Sequence, residues 1–307
     1  MAMMTMTKKE QKKIIVILGP TASGKSDLAV NLALKYNGEI ISADSRQVYT
    51  GMNIGTGKIT KKEMRGVPHY LLDIASPKRQ LSVADFQKQA QIAIKKILDK
   101  NKIPIICGGT GLYIDAVVDN QIFPDIKPNP QLRKKLEKLT TQELFTKLKK
   151  LDPNRAATID RNNPRRLIRA LEIVMTSKKP IPQIQKHRDY EVLKLGVKRD
   201  QKELKELIWK RLLRRLNHGM VNEIKKLKKS GVTYQRLYDF GLEYRWISLY
   251  IHEKITKEEM ILELYKAICN FSKRQMTWFK RDQEIHWIKN QQQAEKLTKN
   301  FLNQKTA

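Results

Sequence analysis

Gly19-Pro20-Thr21-Ala22-Ser23-Gly24-Lys25-Ser26 decides how the rest of the chain is read. It fits the phosphate-loop pattern G-x-x-x-x-G-K-[ST] at every constrained position. Before it, Ile14-Ile15-Val16-Ile17-Leu18 is a short β-branched apolar run of the kind found in a buried parallel strand. After it, Leu28, Ala29, Leu32, Ala33 and Tyr36 recur at helical spacing, and Gly38 is expected to cap that helix. Strand, glycine-rich loop and helix in this order predict an α/β fold of P-loop type with a parallel sheet. The loop's backbone N–H groups can wrap an anion at a helix N-terminus, where the dipole favours negative charge. Lys25 adds a mobile point charge and Ser26 a hydroxyl for Mg2+. The motif specifies phosphate without specifying ATP.

Composition narrows the partners. The 307 residues carry 61 Lys and Arg against 31 Asp and Glu, a formal charge of +30, which points to a polyanionic partner. Cys107 and Cys269 have no metal-type spacing and the five histidines form no H-x-x-x-H pair, so a reduced cytosolic protein without a zinc site is expected. Residues 1–13 hold charges but no apolar signal core and read as a disordered segment. No apolar run reaches the ~20 residues of a membrane span, so the chain reads as soluble; its cysteine usage reads as cytoplasmic, and a monomer is the expectation.

Along the chain, Ile40-Ile41 followed by Asp44 reads as a second parallel strand with a carboxylate at its C-terminal end, the edge that faces ligands in an open α/β sheet. Capping of the next element is the other use for such an Asp. Gly55-Thr56-Gly57-Lys58 lacks the four-residue spacer of a phosphate loop and reads as a surface loop. Pro68 to Ile74 is a short strand or turn. Ser82 is placed as the cap of a helix with Phe86, Ala90, Ala93, Ile94 and Ile97 on one face. Pro104-Ile105-Ile106-Cys107 is another buried strand that runs into Gly108-Gly109-Thr110-Gly111. Those glycines imply close backbone approach, either to a ligand that Thr110 would also face or within a tight turn that binds nothing.

At Phe123 the texture changes, with Pro124, Pro128 and Pro130 followed by polar helical sequence to Arg188. This stretch holds 17 Lys and Arg against 6 Asp and Glu and reads as an insertion between two halves of the core. Within it, two or three of Arg165, Arg166 and Arg169 share a helix face while Leu167, Ala170, Leu171 and Val174 turn inward. The arginine face is either simply solvated or suited to track a sugar-phosphate backbone. Glu191 to Val197 reads as a strand returning to the sheet, and from Gln201 onward the chain reads as helix. There Arg211 lies in the stripe of Leu204, Leu207, Ile208 and Leu212 as a partly inward cation. Ser272 to Arg281 mixes basic and aromatic residues, with Trp278 and Phe279 read as core. Residues 291–307 read as a polar tail. The expected domains are thus 14–122 with 189–290 as the core and 123–188 as the inserted helical domain.

Three features converge on one sheet edge: a cradle of pyrophosphate size, Asp44 and the glycine turn. A nucleotide kinase or hydrolase would use Asp44 to organise Mg2+. A transferase that displaces pyrophosphate would hold the leaving group on the loop, take a proton at Asp44, and stabilise charge with Lys25, Ser26-bound Mg2+ and Arg211. A non-catalytic RNA-binding protein with a relic loop is a third class.

Gly19–Ser26, Ile41–Tyr49, Pro68-His69, Gly108–Tyr113, Pro164–Glu172 and Lys273–Phe279 occur in an order that resembles the tRNA dimethylallyltransferases, the isopentenyl transferases that modify adenosine 37 beside the anticodon. The resemblance runs from about residue 14 to about residue 288. It implies that dimethylallyl diphosphate sits with its diphosphate on the loop and that the N6 amine of a flipped adenine attacks C1. It further implies Asp44 as general base, Thr110 beside the reacting centre and Arg211 as a diphosphate-binding arginine. Asp44, Ser45, Arg46 and Gln47 would contact tRNA on the adenine side. Arg133, Arg165, Arg166, Leu167, Ile168, Arg169, Tyr244 and Arg245 would contact it elsewhere, with the insertion clasping the anticodon arm. Gly57 stands where the family often has Ala, and Arg46 where Met or Ala is common. No zinc-finger extension of the eukaryotic relatives is present, which suggests a bacterial-type enzyme.

Overall fold

The computed structural model describes residues 12–182 and 187–304. The segment expected to be disordered, 1–13, falls outside them except for Lys12 and Lys13, which begin the first strand. In chain order the elements are β1 (Lys12–Leu18), α1 (Lys25–Lys35), β2 (Gly38–Ser42), α2 (Lys61–Met64), β3 (His69–Tyr70), α3 (Val83–Leu98), β4 (Ile103–Gly108) and α4 (Gly111–Val118). Then come α5 (Pro130–Leu136), α6 (Thr141–Leu151), α7 (Pro153–Thr158) and α8 (Pro164–Ser177). The chain continues as β5 (Tyr190–Val197), α9 (Gln201–Asn217), α10 (Met220–Lys229), α11 (Tyr234–Phe240), α12 (Leu242–Ile251), α13 (Lys257–Phe279), β6 (Ile285–Ile288) and α14 (Gln291–Asn303). It divides into two compact units, one of residues 1–120 with 188–307 and one of residues 121–187.

The first unit is a six-stranded sheet in the order β3-β2-β4-β1-β5-β6, with every pairing parallel. Parallel strands bury both faces, and β1 does so by alternation. Ile14, Val16 and Leu18 join Phe86, Ile94, Ile208 and Leu264 on one side, while Ile15 and Ile17 join Leu28, Leu32 and Ile105 on the other. Each such side chain removed from water contributes about 1.5–3 kcal/mol. Because all strands run the same way, the segments after β1, β2 and β4 emerge together at the carboxyl edge, where α/β sheets bind ligands. Among the described residues no helix is long and apolar enough to cross a membrane.

Three expectations change. Gly38 does not cap α1. The helix ends at Lys35, Asn37 takes the left-handed conformation (φ 51°), and Gly38 opens β2. The helical C-terminal part contains one more strand, β6, which pairs with β5 through Lys194↔Ile285 and Val197↔Ile288. Four residues with only Ile285 and Ile288 buried are too few to show a period. The polar tail is largely the helix α14, capped by the Asn290 side chain. Its narrow apolar stripe of Ala294, Leu297 and Phe301 packs on the face that carries α1, and Lys35 pairs with Glu295 at 2.5 Å.

The second unit has its own core of Leu136, Leu144, Leu148, Ala156, Leu167, Ala170, Leu171 and Val174. Glu172 is one of its buried carboxylates, fully enclosed. It accepts from Arg133 Nε at 2.8 Å and Nη2 at 2.7 Å, from Arg169 Nη1 at 2.5 Å and from the Asn129 N–H at 2.6 Å. Burial alone would raise its carboxyl, but these donors outweigh burial and hold it at about 2. Glu172→Gln should therefore destabilise this unit by about 1–3 kcal/mol, because two part-exposed guanidiniums lose their counter-charge and a charged acceptor. Loss of amide protection in α8, read by hydrogen exchange, checks it. A carboxyl lowered by folding contributes stability above its unfolded value near 4.5 and loses it as pH falls toward 2. The gap between native protein and variant should close over that window.

Candidate active site

The phosphate loop turns between β1 and α1 with Ala22 and Gly24 in left-handed conformations (φ 63° and 88°), which aims successive backbone amides inward. Ser23 is buried, and its Oγ finds no hydrogen-bond partner among the described residues. Lys25 is half-buried and donates to the Pro20 carbonyl at 3.1 Å, which arches its side chain back over the loop. Burial lowers its pKa, with Arg211 and Arg215 acting in the same direction and Cys107 and Asp44 against it. Ser26 is exposed in the first turn of α1.

Asp44 lies two residues beyond β2, half-buried. Its Oδ1 accepts the N–H of Arg46 at 2.8 Å and of Gln47 at 3.3 Å, leaving Oδ2 without a hydrogen bond among the described residues. The capping use of an N-terminal Asp is thus present, yet it occupies only one of the two oxygens. Thr110, at the start of α4, accepts the Ser45 N–H at 3.0 Å, which ties the glycine turn to the residue beside Asp44. Arg46 donates to the Phe240 carbonyl at 3.0 Å and stands 5.5 Å from that ring's centroid, so its charge is turned toward α11. Gln47 donates to the Gly57 carbonyl at 3.2 Å.

The glycine turn is close-packed, and the neighbours that exclude side chains are the protein's own. A Cβ on Gly108 would lie 2.1 Å from the Ala43 carbonyl oxygen, and one on Gly111 2.3 Å from the Trp278 ring. Of the two readings of this turn, protein packing accounts for the glycines, while Thr110 is still carried to the site. Trp278 is half-buried and donates to Asp115 at 2.9 Å, and Phe279 is buried, as core residues should be.

Arg211 projects from α9 to the Thr21 hydroxyl. Burial, then the neighbouring Arg215, pushes its guanidinium down to about 9, while Glu243 and Asp44 oppose that fall. At neutral pH the group is still a cation, held in a field that an added dianion would relieve. One turn on, Arg215 bonds the Gly55 carbonyl and Glu243, both at 3.4 Å. A Cβ on Gly57 would meet that guanidinium at 1.5 Å, so Arg215 fills the space an alanine would use. The segment around residues 53–58 is consequently no free surface loop. Glu223 accepts the N–H groups of Asn53, Ile54 and Gly55 at 2.6–3.0 Å.

Tyr244 cannot reach RNA with its side chain: it is 1% exposed and donates to Glu223 at 3.1 Å. Arg245 sits over the Tyr238 ring, 4.3 Å from its centroid, with Nε donating to the Tyr238 carbonyl. In the other unit, Leu167 is a core residue and contributes no outward contact. Arg165 and Arg166 are exposed, Ile168 is half-buried, and Arg133 and Arg169 are bound to Glu172.

Sequence reading passed over Gln275, Arg215, Glu243 and Glu223. Each leaves a faint signal, a polar group on a buried helix face: Gln275 with Ile268, Ser272 and Phe279, and Glu223 with Met220, Ile224 and Leu227.

A family model described as IPP transferase matches residues 47–282. The tRNA dimethylallyltransferase of a Thermoanaerobacter species is 41% identical over 303 residues, covering 94% of this chain and 96% of the relative. Among solved structures, the tRNA delta(2)-isopentenylpyrophosphate transferase of Staphylococcus epidermidis is similar with a TM-score of 0.70 at 34% identity, covering 96% of this chain and all of that one. The full-length tRNA isopentenylpyrophosphate transferase of Bacillus halodurans has a TM-score of 0.70 at 37% identity, with 95% of each chain covered.

Proposed function

The chain belongs to the IPP transferase family, and we propose on that footing that it transfers the dimethylallyl group of dimethylallyl diphosphate to N6 of adenosine 37 in tRNA. The observation that carries this reading is the pairing, at one sheet edge, of an anion cradle rich in cations with a carboxylate that keeps one oxygen free. The loop amides, Lys25 and Arg211 bind the diphosphate. The N6 amine attacks the allylic C1 as the C1–O bond breaks, and the bonding pair leaves with the diphosphate, whose growing charge the same cations stabilise. Asp44 Oδ2 takes the proton that N6 sheds. Thr110 and the Ser45–Gln47 segment border the adenine, which must leave its stack to reach them.

The donors fit a Mg2+ ion that draws most of its ligands from diphosphate and water. Ser26, an exposed residue of the first helical turn, offers its hydroxyl, and among the described residues no three His, Cys, Asp or Glu form a protein cage. When bound, the ion would neutralise diphosphate charge. A tRNA substrate also accounts for the formal charge of +30, and the proposed reaction is one for the cytoplasm.

Within residues 121–187, the exposed pair Arg165 and Arg166 is assigned to the tRNA backbone, whereas Arg133 and Arg169 act through Glu172. Arg165→Ala with Arg166→Ala should lower tRNA affinity and flatten the plot of log K against log salt by about 1.5, at roughly 0.7–0.9 per lost phosphate contact. An unchanged slope in filter binding would return both to a merely solvated face. For the reaction itself, labelled dimethylallyl diphosphate is incubated with anticodon stem-loops bearing A or G at position 37. Label should enter only the first. Consumption of ATP with no label in RNA would favour a kinase instead.

A further inference from the structure

Gln275 lies on the buried face of α13, 7% exposed, with its amide between two loops. Oε1 accepts the Thr21 N–H at 2.9 Å, and Nε2 donates to the Gly109 carbonyl at 2.8 Å. Since Thr21 N–H can only donate and the Gly109 carbonyl only accept, the amide has one orientation. Each partner leads into one half of the site. Thr21 carries the hydroxyl that receives Arg211, on the diphosphate side. Gly109 precedes Thr110, which holds Ser45 beside Asp44 on the adenine side.

We propose that Gln275 is a positioning residue that sets the distance between the diphosphate half and the adenine half, so that C1 and N6 meet in line. The inference rests on the prenyl-transfer reading above. Displacement needs the reacting atoms about 3–3.5 Å apart, and a misplacement of about 1 Å can lower the rate about 10²-fold. Both hydrogen bonds of the Gln275 amide go to the protein's own backbone, one on each half, so its loss should change how the halves relate more than how each binds.

Two variants displace the amide by different routes. Gln275→Ala removes it. Gly109→Ala leaves α13 intact but puts a Cβ 2.2 Å from Gln275 Nε2, the free end of a flexible side chain, which must swing away. Single-turnover prenyl transfer to an A37 stem-loop is measured for both, with affinities for inorganic pyrophosphate and for the stem-loop determined separately by calorimetry. Each variant should lose about 10²-fold in rate. Both affinities should stay within about threefold of the native protein's, and retained pyrophosphate binding certifies the fold. The double variant should be no slower than the slower single one, because both changes remove one linkage. The proposal is overturned by a rate that is unchanged in a folded variant, by affinities that fall as far as the rate, or by losses that multiply in the double variant. If the native protein itself transfers no prenyl group, the family reading fails first and this inference with it.

Discussion

Asp44→Asn is expected to keep its affinity for tRNA and diphosphate while losing about 10²–10⁴-fold in turnover, the range for removal of a general base. The amide has the shape of the carboxylate, and its oxygen can still accept the Arg46 and Gln47 N–H groups that fix the segment's backbone. What it lacks is an oxygen that can take a proton from N6. Asp44 also lies within the electrostatic reach of Lys25, Arg211 and Arg46, where it offsets positive charge. Removing that negative charge should therefore leave pyrophosphate binding equal or slightly tighter. Single-turnover rates beside calorimetric affinities separate the two effects. A turnover equal to that of the native enzyme would strip Asp44 of the proton-accepting role.

Arg211→Gln is expected to lower kcat by about 10²–10³-fold, the size of losing one preorganised donor to a developing anion. The guanidinium reaches the loop at the Thr21 hydroxyl, and burial with Arg215 nearby leaves its charge under-compensated. Ground-state diphosphate already carries charge, so KM should rise too. The bridging oxygen becomes anionic only as the C1–O bond breaks, so kcat should fall further than affinity. Arg215 would not compensate, because it is already engaged by the Gly55 carbonyl and Glu243. A variant that raises KM with kcat intact would make Arg211 a binding residue only.

The loop, β1, α1 and the placement of Asp44 at a strand end were legible because each depends on neighbours within a few residues. Ser82 and the buried face of α3 were legible for the same reason. What escaped depends on partners far along the chain. The glycines at 108–111 announce close approach, but only the fold brings Gln275 and Trp278 there from α13. Residues 53–55 look like an ordinary turn, since the carboxylate that gathers their amides belongs to Glu223. Tyr244 and Arg245 are adjacent in sequence yet differ in burial, because one turns toward the core of α10–α13 and the other toward Tyr238. The arginines at 133 and 165–169 divide in the same way: a buried Glu172 claims two and leaves two outside. Charge counting finds such a region but not which cations a buried carboxylate has already claimed.

The central claim is that the Gly19–Ser26 cradle holds a leaving diphosphate, and the most direct test measures both products in one tube. The protein is incubated with dimethylallyl diphosphate, Mg2+ and an A37 stem-loop in the absence of any nucleoside triphosphate. Pyrophosphate and prenylated adenosine should accumulate in equal amounts. No prenylated adenosine under these conditions, with added ATP then converted to ADP, would contradict it.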